Sequence, residues 1–458
     1  MNYSNKIIQD IISIVGEKYL ITQLDKMYNY SFDITSNECI HPLGVILPKN
    51  TEEVSEILKY CYKNDIKITI RGGGSSVSGG SIPRGNDFVL SMERLNNIIE
   101  INKINRTVTL ESGVITETLK EEVSKHGLCF PQNMSSASQS FIGGNIAISS
   151  GSPKSLKYGN IKNSVLNLEV VLADGQILWT GKNVSKNATG YNLTQLFIGS
   201  EGTLGIITKA VLKLEIPKKE VLFLIPFKSL QRLFEFTNEF FYQGFSASCI
   251  EFLDKKGYEL VSDFLNNKKE FGDNIEGLLW IEYEIDSDNQ IGIIADFISD
   301  YIDEEDVLFA DTKNEMDKLW AYRKKIGLAC INYSTFKDID IVVPRSSSSE
   351  IYNEIVIACS KYNFEYIVVG HIGDGNYHIN IFNNTSNGLE WEKNIELCFN
   401  QIFNKVNQLG GTLSGEHGVG SLYNSYLNIV MPQNQIDLMK NIKSIFDKKQ
   451  ILNSNLIF

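Results

Sequence analysis

The chain is 458 residues long, room for two or three domains, and its formal net charge is −12. That balance excludes nonspecific nucleic-acid binding, which needs a basic face. The longest apolar runs, such as Val221–Phe227, are far too short to cross a bilayer, and the polar start around Lys6 and Asp10 is not laid out as a secretory signal, so a cytoplasmic protein is expected.

In chain order, residues 5–20 carry Ile7, Ile8, Ile11, Ile12 and Val15 at helical spacing, an amphipathic lead-in. Thr51 reads as the cap of a second helix, with Glu52 and Glu53 in its first turn and Val54, Ile57, Leu58 and Cys61 on one face. Ile66, Ile68 and Ile70 alternate with polar residues as a strand does, and lead directly into Arg71-Gly72-Gly73-Gly74-Ser75-Ser76-Val77-Ser78-Gly79-Gly80. Glycines in such a loop let backbone N–H groups turn inward on phosphate oxygens, and serine hydroxyls add donors. The loop is not a Walker A motif, because no Gly-Lys-Ser/Thr follows. Nor is it a dinucleotide fingerprint, because Val77 stands at the third glycine and no helical pattern follows. Taken alone, a plain flexible turn fits it as well.

Two further stretches are dense in small residues: Pro131-Gln132-Asn133 with Ser138–Gly151, and Asn187–Leu193 with Gly199–Ile207. Between them Leu168, Val170 and Leu172 alternate, Asp174-Gly175 turns and 176–180 returns, a hairpin. Three small-residue loops hung on strands point to one extended ligand. Beyond Pro217-Lys218-Lys219 the composition shifts, a domain boundary. Residues 229–241 read as a helix, 279–284 as an antiparallel strand, 317–329 as a helix, 339–343 as a strand and 349–360 as a helix, together an antiparallel sheet with helices on one face.

The stretch Gly370 to Asn380 places turn chemistry between two apolar runs, Tyr366–Val369 and Tyr377–Phe382, and reads as a β-hairpin. It brings His371 and His378 near each other on opposite strands, with Asn380 on the same face as His378. Two imidazoles on rigid strands make half of a divalent metal site; the other half is expected in Ser414-Gly415-Glu416-His417-Gly418. Three of the five histidines lie in these two stretches. The alternative is a hairpin whose histidines only hydrogen-bond. The last helical stretch, about 435–449, reads as a return to the first domain. Seven cysteines without a Cys-x-x-Cys pair support no zinc ribbon or iron–sulfur cluster and read as buried thiols.

The order R-G-G-G-S-S-V-S-G-G, then F-I-G-G-N-I-A with K-Y-G-N, then G-Y-N-L-T-Q-L-F-I-G-S-E-G-T-L-G-I-I-T resembles the FAD-binding domain of the vanillyl-alcohol-oxidase-type flavoproteins. The later G-H-I-G-D-G-N-Y-H and G-T-L-S-G-E-H-G-V-G are similar to the branch that holds D-lactate dehydrogenases, glycolate oxidase flavin subunits and D-2-hydroxyglutarate dehydrogenases. The resemblance covers nearly the whole chain. It implies an α+β fold: a helical lead-in over 1–40, a two-subdomain FAD-binding domain over 41–218, an antiparallel α+β substrate and metal (cap) domain over 219–420, and C-terminal helices over 421–458 that return to the FAD domain.

By the same resemblance FAD is held by Arg71, Gly72, Gly73, Gly74, Ser75, Ser76, Gly79, Pro131, Ser138, Gly143, Gly144, Asn145, Ala147, Gly151, Tyr158, Glu201, Gly202, Gly205, Ile207 and Asn453. Some relatives attach the flavin through a histidine in the first loop; Ser75 stands at that position, so noncovalent FAD is expected. His371, His378 and Glu416 are expected to hold zinc or manganese. His417 is expected as the base, its neighbour Glu416 pointing elsewhere, with Arg323 and Asn380 on the substrate carboxylate. The implied reaction is oxidation of a D-2-hydroxy acid, D-lactate first and glycolate or D-2-hydroxyglutarate next, to the 2-oxo acid. Electrons would leave to an electron-transferring flavoprotein or an iron–sulfur subunit, and a homodimer is expected. The competing readings are a non-redox flavoenzyme similar to alkyl-dihydroxyacetone-phosphate synthase, a metal-dependent hydrolase, and a non-catalytic FAD-binding subunit. The usual Asn-Ala-Gly-Gly is replaced here by Ser149-Ser150-Gly151-Ser152, and Asp447-Lys448 lacks the usual proline.

Overall fold

The computed structural model describes residues 5–35, 39–266, 271–272, 274–302, 306–383, 387–454 and 456–457. The chain forms two compact units. One comprises Met1–Ser152, Gly159–Pro217 and Glu416–Phe458; the other comprises Pro153–Tyr158 and Lys218–Gly415. Among the described residues no helix is long and apolar enough to cross a membrane.

The first unit contains two sheets. Strands β1 (Leu20–Ile21), β2 (Val45–Ile46), β3 (Lys67–Arg71) and β4 (Asp87–Ser91) form a four-stranded sheet in the order β1-β2-β4-β3, with parallel pairing of β2 and β3 to β4. Its core gathers Ile11, Val54, Ile57, Leu58, Ile68, Phe88 and Leu90, so the helices Asn5–Val15 and Thr51–Lys63 bury the faces their spacing announces. The cap of the second helix is Asn50, not Thr51: the Asn50 side chain accepts from the Glu53 amide at 2.9 Å, while the Thr51 hydroxyl turns to Glu169. Either residue type can cap, and the extended backbone at Asn50 decides it. Strands β5 (Ile98–Asn102), β6 (Thr107–Glu111), β7 (Val165–Val171), β8 (Ile177–Trp179) and β9 (Ile206–Lys213) form an antiparallel sheet in the order β5-β6-β9-β7-β8. The hairpin read around Asp174-Gly175 is β7–β8.

The chain's end closes this unit. Helix Gln433–Phe446 sets Phe446 edge-on against Phe197 at 5.3 Å, and Leu452 bridges Ile68. Lys443 is buried, donates to the carbonyls of Thr203 (2.6 Å) and Leu452 (3.0 Å), and pairs with Asp447, which accepts from the amides of Ile451 and Leu452.

The second unit is built on a seven-stranded sheet. Its strands are β10 (Lys219–Phe227), β11 (Cys249–Asp254), β12 (Gly277–Ile285), β13 (Leu308–Ala310), β14 (Phe336–Val342), β15 (Glu365–His371) and β16 (Asn376–Phe382), in the order β13-β10-β12-β11-β15-β16-β14, antiparallel throughout. Helices cover both faces, where the sequence reading expects one. On one face Leu222, Leu224, Leu278, Trp280 and Val369 pack with Tyr258 and Val261 of helix Lys255–Phe264 and with Trp320, Ile326 and Ala329 of helix Lys313–Tyr333. On the other, Phe227 and Phe252 meet Phe236 and Phe234 of helix Leu230–Tyr242, and Phe252 meets Tyr352 of helix Ser348–Lys361. The strands carry apolar residues at both parities, so both faces need cover. The expected hairpin is β15–β16, joined by the 3-10 turn Ile372–Asp374 with Gly375 at φ 75°.

Lys443→Ala would leave Asp447 charged and unpaired inside the first unit. The expected cost is about 3–5 kcal/mol, read as an earlier loss of the first unit's folding signal in a urea titration. A midpoint equal to that of the parent would show that the C-terminal clasp carries no such weight.

Candidate active site

In the first unit β3 runs into the glycine loop. A Cβ on Gly73 would sit 2.0 Å from the Gln139 carbonyl oxygen, so this loop lies against the second small-residue stretch at main-chain distance. The third stretch joins through the backbone: Gly199 N–H donates to Ile146 O (3.1 Å) and Glu201 N–H to Ala147 O (2.8 Å). The three loops therefore adjoin, as one extended ligand requires. Ser76 Oγ accepts from the amides of Ser78 (3.2 Å) and Gly80 (3.1 Å), which curls the loop. No Asp or Glu occurs between Asp65 and Asp87, so the loop offers a diphosphate N–H and hydroxyl donors and carries no carboxylate of its own. At Gly144 a Cβ would meet no atom within 4 Å, which leaves open space beside the loop. These features fit an FAD nucleotide.

The residues expected to hold FAD divide by position. Gly72 to Ser76, Ser138, Gly144 and Ala147 retain some exposure, whereas Gly79, Pro131, Gly143, Gly151, Gly202, Gly205 and Ile207 are buried in the loop supports. Four polar members brace the cradle. Arg71 donates to the carbonyls of Asn29 (2.9 Å), Phe32 (2.9 Å) and Ser81 (3.2 Å). Asn145 donates to Thr116 Oγ1 at 2.7 Å. Asn453 accepts from the Ile70 amide at 2.8 Å and donates to the Glu201 carbonyl at 2.7 Å. The Glu201 carboxylate accepts from the amides of Val419 (2.8 Å) and Gly420 (3.0 Å). Burial pushes the Glu201 carboxyl up to about 7, against the pull of those two amides. Tyr158 belongs to the second unit, where its hydroxyl donates to Glu284 at 2.6 Å.

In the second unit, strand alternation collects polar side chains on one sheet face. His378 lies opposite Val369 on β15 and opposite Asp340 on β14; Asn380 lies opposite Asp338, and His371 opposite Asn376. The imidazoles of His371 and His378 stand 5.4 Å apart, centroid to centroid, nearly perpendicular, and both residues are buried. Asp340 accepts from Asn376 Nδ2 (2.6 Å), Ser414 Oγ (2.8 Å) and the Gly415 amide (2.9 Å), and its Oδ1 lies 3.9 Å from His378 Nδ1. Glu251 on β11, wholly buried, faces two partners: Oε1 meets His371 Nδ1 at 2.5 Å and Oε2 accepts from Arg323 Nε at 2.7 Å. Burial alone would raise the Glu251 carboxyl; the charges and hydrogen bonds of His371 and Arg323 overcome it and hold the group below the ordinary carboxylate range. Buried imidazoles beside carboxylate oxygens are a donor set that fits a divalent cation.

The chain passes from the second unit to the first between Gly415 and Glu416. Asp340 fixes the residues before that point. After it, Ser78 Oγ donates to the His417 carbonyl (3.0 Å), and the Ser421 amide donates to the Ser78 carbonyl (3.0 Å). Gly420 comes so close that a Cβ would lie 1.9 Å from the Ser78 oxygen, and its φ of +56° already favours glycine. Glu416 and His417 do not point apart as expected: His417 Nε2 lies 3.6 Å from Glu416 Oε1. Consecutive bends at 415–417 curl the backbone and gather the two side chains.

Sequence reasoning missed Glu251, Asp338 and Asp340. The signal was available in Cys249-Ile250-Glu251-Phe252-Leu253 and Asp338-Ile339-Asp340-Ile341, where carboxylates interrupt apolar strands at the period of one sheet face.

Residues 216–456 match the family described as FAD linked oxidases, C-terminal domain, and residues 42–181 match a FAD binding domain. The chain is 35% identical over 438 residues to glycolate oxidase subunit GlcD of Bacillus subtilis (strain 168), covering 94% of this chain and 92% of that protein. It is 33% identical over 419 residues to a D-lactate dehydrogenase of Archaeoglobus fulgidus, covering 89% and 90%. Among solved structures, 4-ethylphenol oxidase from Gulosibacter chungangensis shares the fold at a TM-score of 0.76 and 18% identity, over 99% of this chain and 97% of that one. The chain therefore belongs to the FAD-linked oxidase family and is an FAD-linked oxidoreductase of the branch that holds the D-lactate, glycolate and D-2-hydroxyglutarate dehydrogenases.

Proposed function

We propose that the protein oxidises a D-2-hydroxy acid to the 2-oxo acid, with D-lactate the first candidate and glycolate and D-2-hydroxyglutarate the next. The observation that carries this reading is the pairing of a buried two-histidine cluster on one sheet face with Arg323 of the helix Lys313–Tyr333, joined through Glu251. An arginine suits a carboxylate, and imidazoles with oxygen donors suit the cation that a vicinal hydroxyl can use. The names of the relatives, glycolate oxidase subunit and D-lactate dehydrogenase, are those of proteins of 2-hydroxy-acid oxidation.

FAD, when bound noncovalently, supplies the hydride acceptor. A divalent cation, zinc or manganese, supplies Lewis acidity that lowers a hydroxyl pKa. His371, His378 and Glu416 would hold the cation. His417 accepts the hydroxyl proton, the side chain best matched to that task near neutral pH. Arg323, its Nε already engaged, offers its Nη groups to the substrate carboxylate, and Asn380 donates beside it; together they fix which face of C2 is presented. The electrons then pass to a separate acceptor, an electron-transferring flavoprotein or an iron–sulfur subunit, since the sequence has no Cys-x-x-Cys pair to hold a cluster of its own.

His417→Gln is expected to slow anaerobic flavin reduction about 10²- to 10⁴-fold with little change in substrate half-saturation; a rate within a few-fold of the parent would remove His417 as base. Arg323→Lys loses the fork and is expected to raise KM roughly 10- to 100-fold; an unchanged KM would move the carboxylate elsewhere. Dialysis against a chelator should abolish substrate-dependent flavin reduction, and zinc or manganese should restore it. A dialysed enzyme that reduces its flavin at the parent rate would exclude the cation.

A further inference from the structure

The geometry points to Glu251 as the positioning residue that orients His371 and Arg323 together, coupling the cation site to the substrate-carboxylate site through one carboxylate. Glu251 sits on β11, wholly excluded from water. Its two oxygens serve different partners, His371 Nδ1 at 2.5 Å and Arg323 Nε at 2.7 Å. The partners come from different elements, β15 and the helix Lys313–Tyr333. A carboxylate at zero exposure is tolerated only when such partners compensate it.

Each contact has a directional consequence. With Nδ1 committed to Glu251, the tautomer and ring plane of His371 are fixed and ligation falls to Nε2, the arrangement in which an outer carboxylate raises ligand basicity. With Nε committed, Arg323 presents its two Nη atoms end-on, the fork that meets a carboxylate bidentately. Both orientations hang on the same Cγ–Cδ bond, so a change at Glu251 moves them together.

Asp254, three residues along the strand and also buried, provides a contrast. Its oxygens accept from the amides of Gly257 (2.8 Å) and Val368 (2.9 Å), which hold backbone and orient no functional side chain.

The kinetic arm of the test rests on the 2-hydroxy-acid reading above; the metal arm does not. The FAD-loaded full chain would be prepared as parent, Glu251→Gln, Glu251→Asp and Asp254→Asn. Zinc affinity would be measured without substrate by competition with a chromophoric chelator, and kcat and KM with D-lactate, glycolate and D-2-hydroxyglutarate. For Glu251→Gln the expected result is a paired loss, zinc affinity falling roughly 10- to 100-fold and KM rising with it, under an unchanged flavin spectrum. Asp254→Asn should lower the melting temperature and leave zinc affinity and KM alone. Zinc affinity and KM both within about twofold of the parent in Glu251→Gln, or a loss in one without the other, would overturn the coupling. If Glu251→Gln does not accumulate as a yellow protein, Glu251→Asp decides: it keeps the charge on a shorter arm and should show the same paired loss, and parent-like values would overturn the proposal. A parent that oxidises none of the acids would sink the proposed reaction, and zinc affinity alone would then decide the role of Glu251 toward His371.

Discussion

Strand alternation under an antiparallel register is the constraint from which the second unit's chemistry follows. Neighbouring strands put Glu251, His371, His378, Asn380 and Asp340 on one face because each stands at the right parity and opposite the right partner. A slip of one residue on β15 would send the His371 imidazole, and a slip on β16 the His378 imidazole, to the face of the aromatic layer formed with Phe252, Phe234 and Tyr352. The cost of burying so many polar groups is offset by their mutual hydrogen bonds: Glu251 is compensated by His371 and Arg323, and Asp340 by Asn376, Ser414 and the Gly415 amide. A rigid sheet with fixed polar partners is a suitable support for groups that must hold their geometry within a fraction of an ångström.

The first unit solves a different problem. A dinucleotide needs main-chain donors at close range, and close range needs small residues. Gly73 against Gln139 and Gly420 against Ser78 are positions where any side chain would collide with backbone. The second contact has a further result. The same Ser78 that belongs to the glycine loop donates to the His417 carbonyl, and Glu201 holds the two amides that follow. The glycine loop and the loop that carries His417 are thus one hydrogen-bonded assembly within this unit.

The hairpin histidines were legible in the sequence because a period of two and a turn of Gly373-Asp374-Gly375 are local signals. The glycine loop and the small-residue stretches were legible for the same reason. Glu251 was not, because its partners lie 120 and 72 residues away and nothing local marks a strand carboxylate as shared. The second helix cover of the sheet was missed because apolar residues at both parities in Val221–Phe227 read first as a plain apolar run. The converging side chains of Glu416 and His417 depend on consecutive bends, which residue types there do not dictate. Arg71 and Glu201 stand in the motifs that announce the cofactor, and their side chains engage the carbonyls and amides that hold the loops in shape, a role that local sequence does not announce.

The central claim, made as a proposal, is that the FAD-loaded chain performs stereospecific oxidation of a 2-hydroxy acid. It is tested most directly by mixing the FAD-loaded protein anaerobically with matched D and L pairs of lactate and 2-hydroxyglutarate, and with glycolate, while following the flavin absorbance. Rapid bleaching by one or more D acids or glycolate, with the L partners inert, is the predicted result. A protein that stays yellow with every acid, or that is bleached equally by both members of a pair, would contradict it.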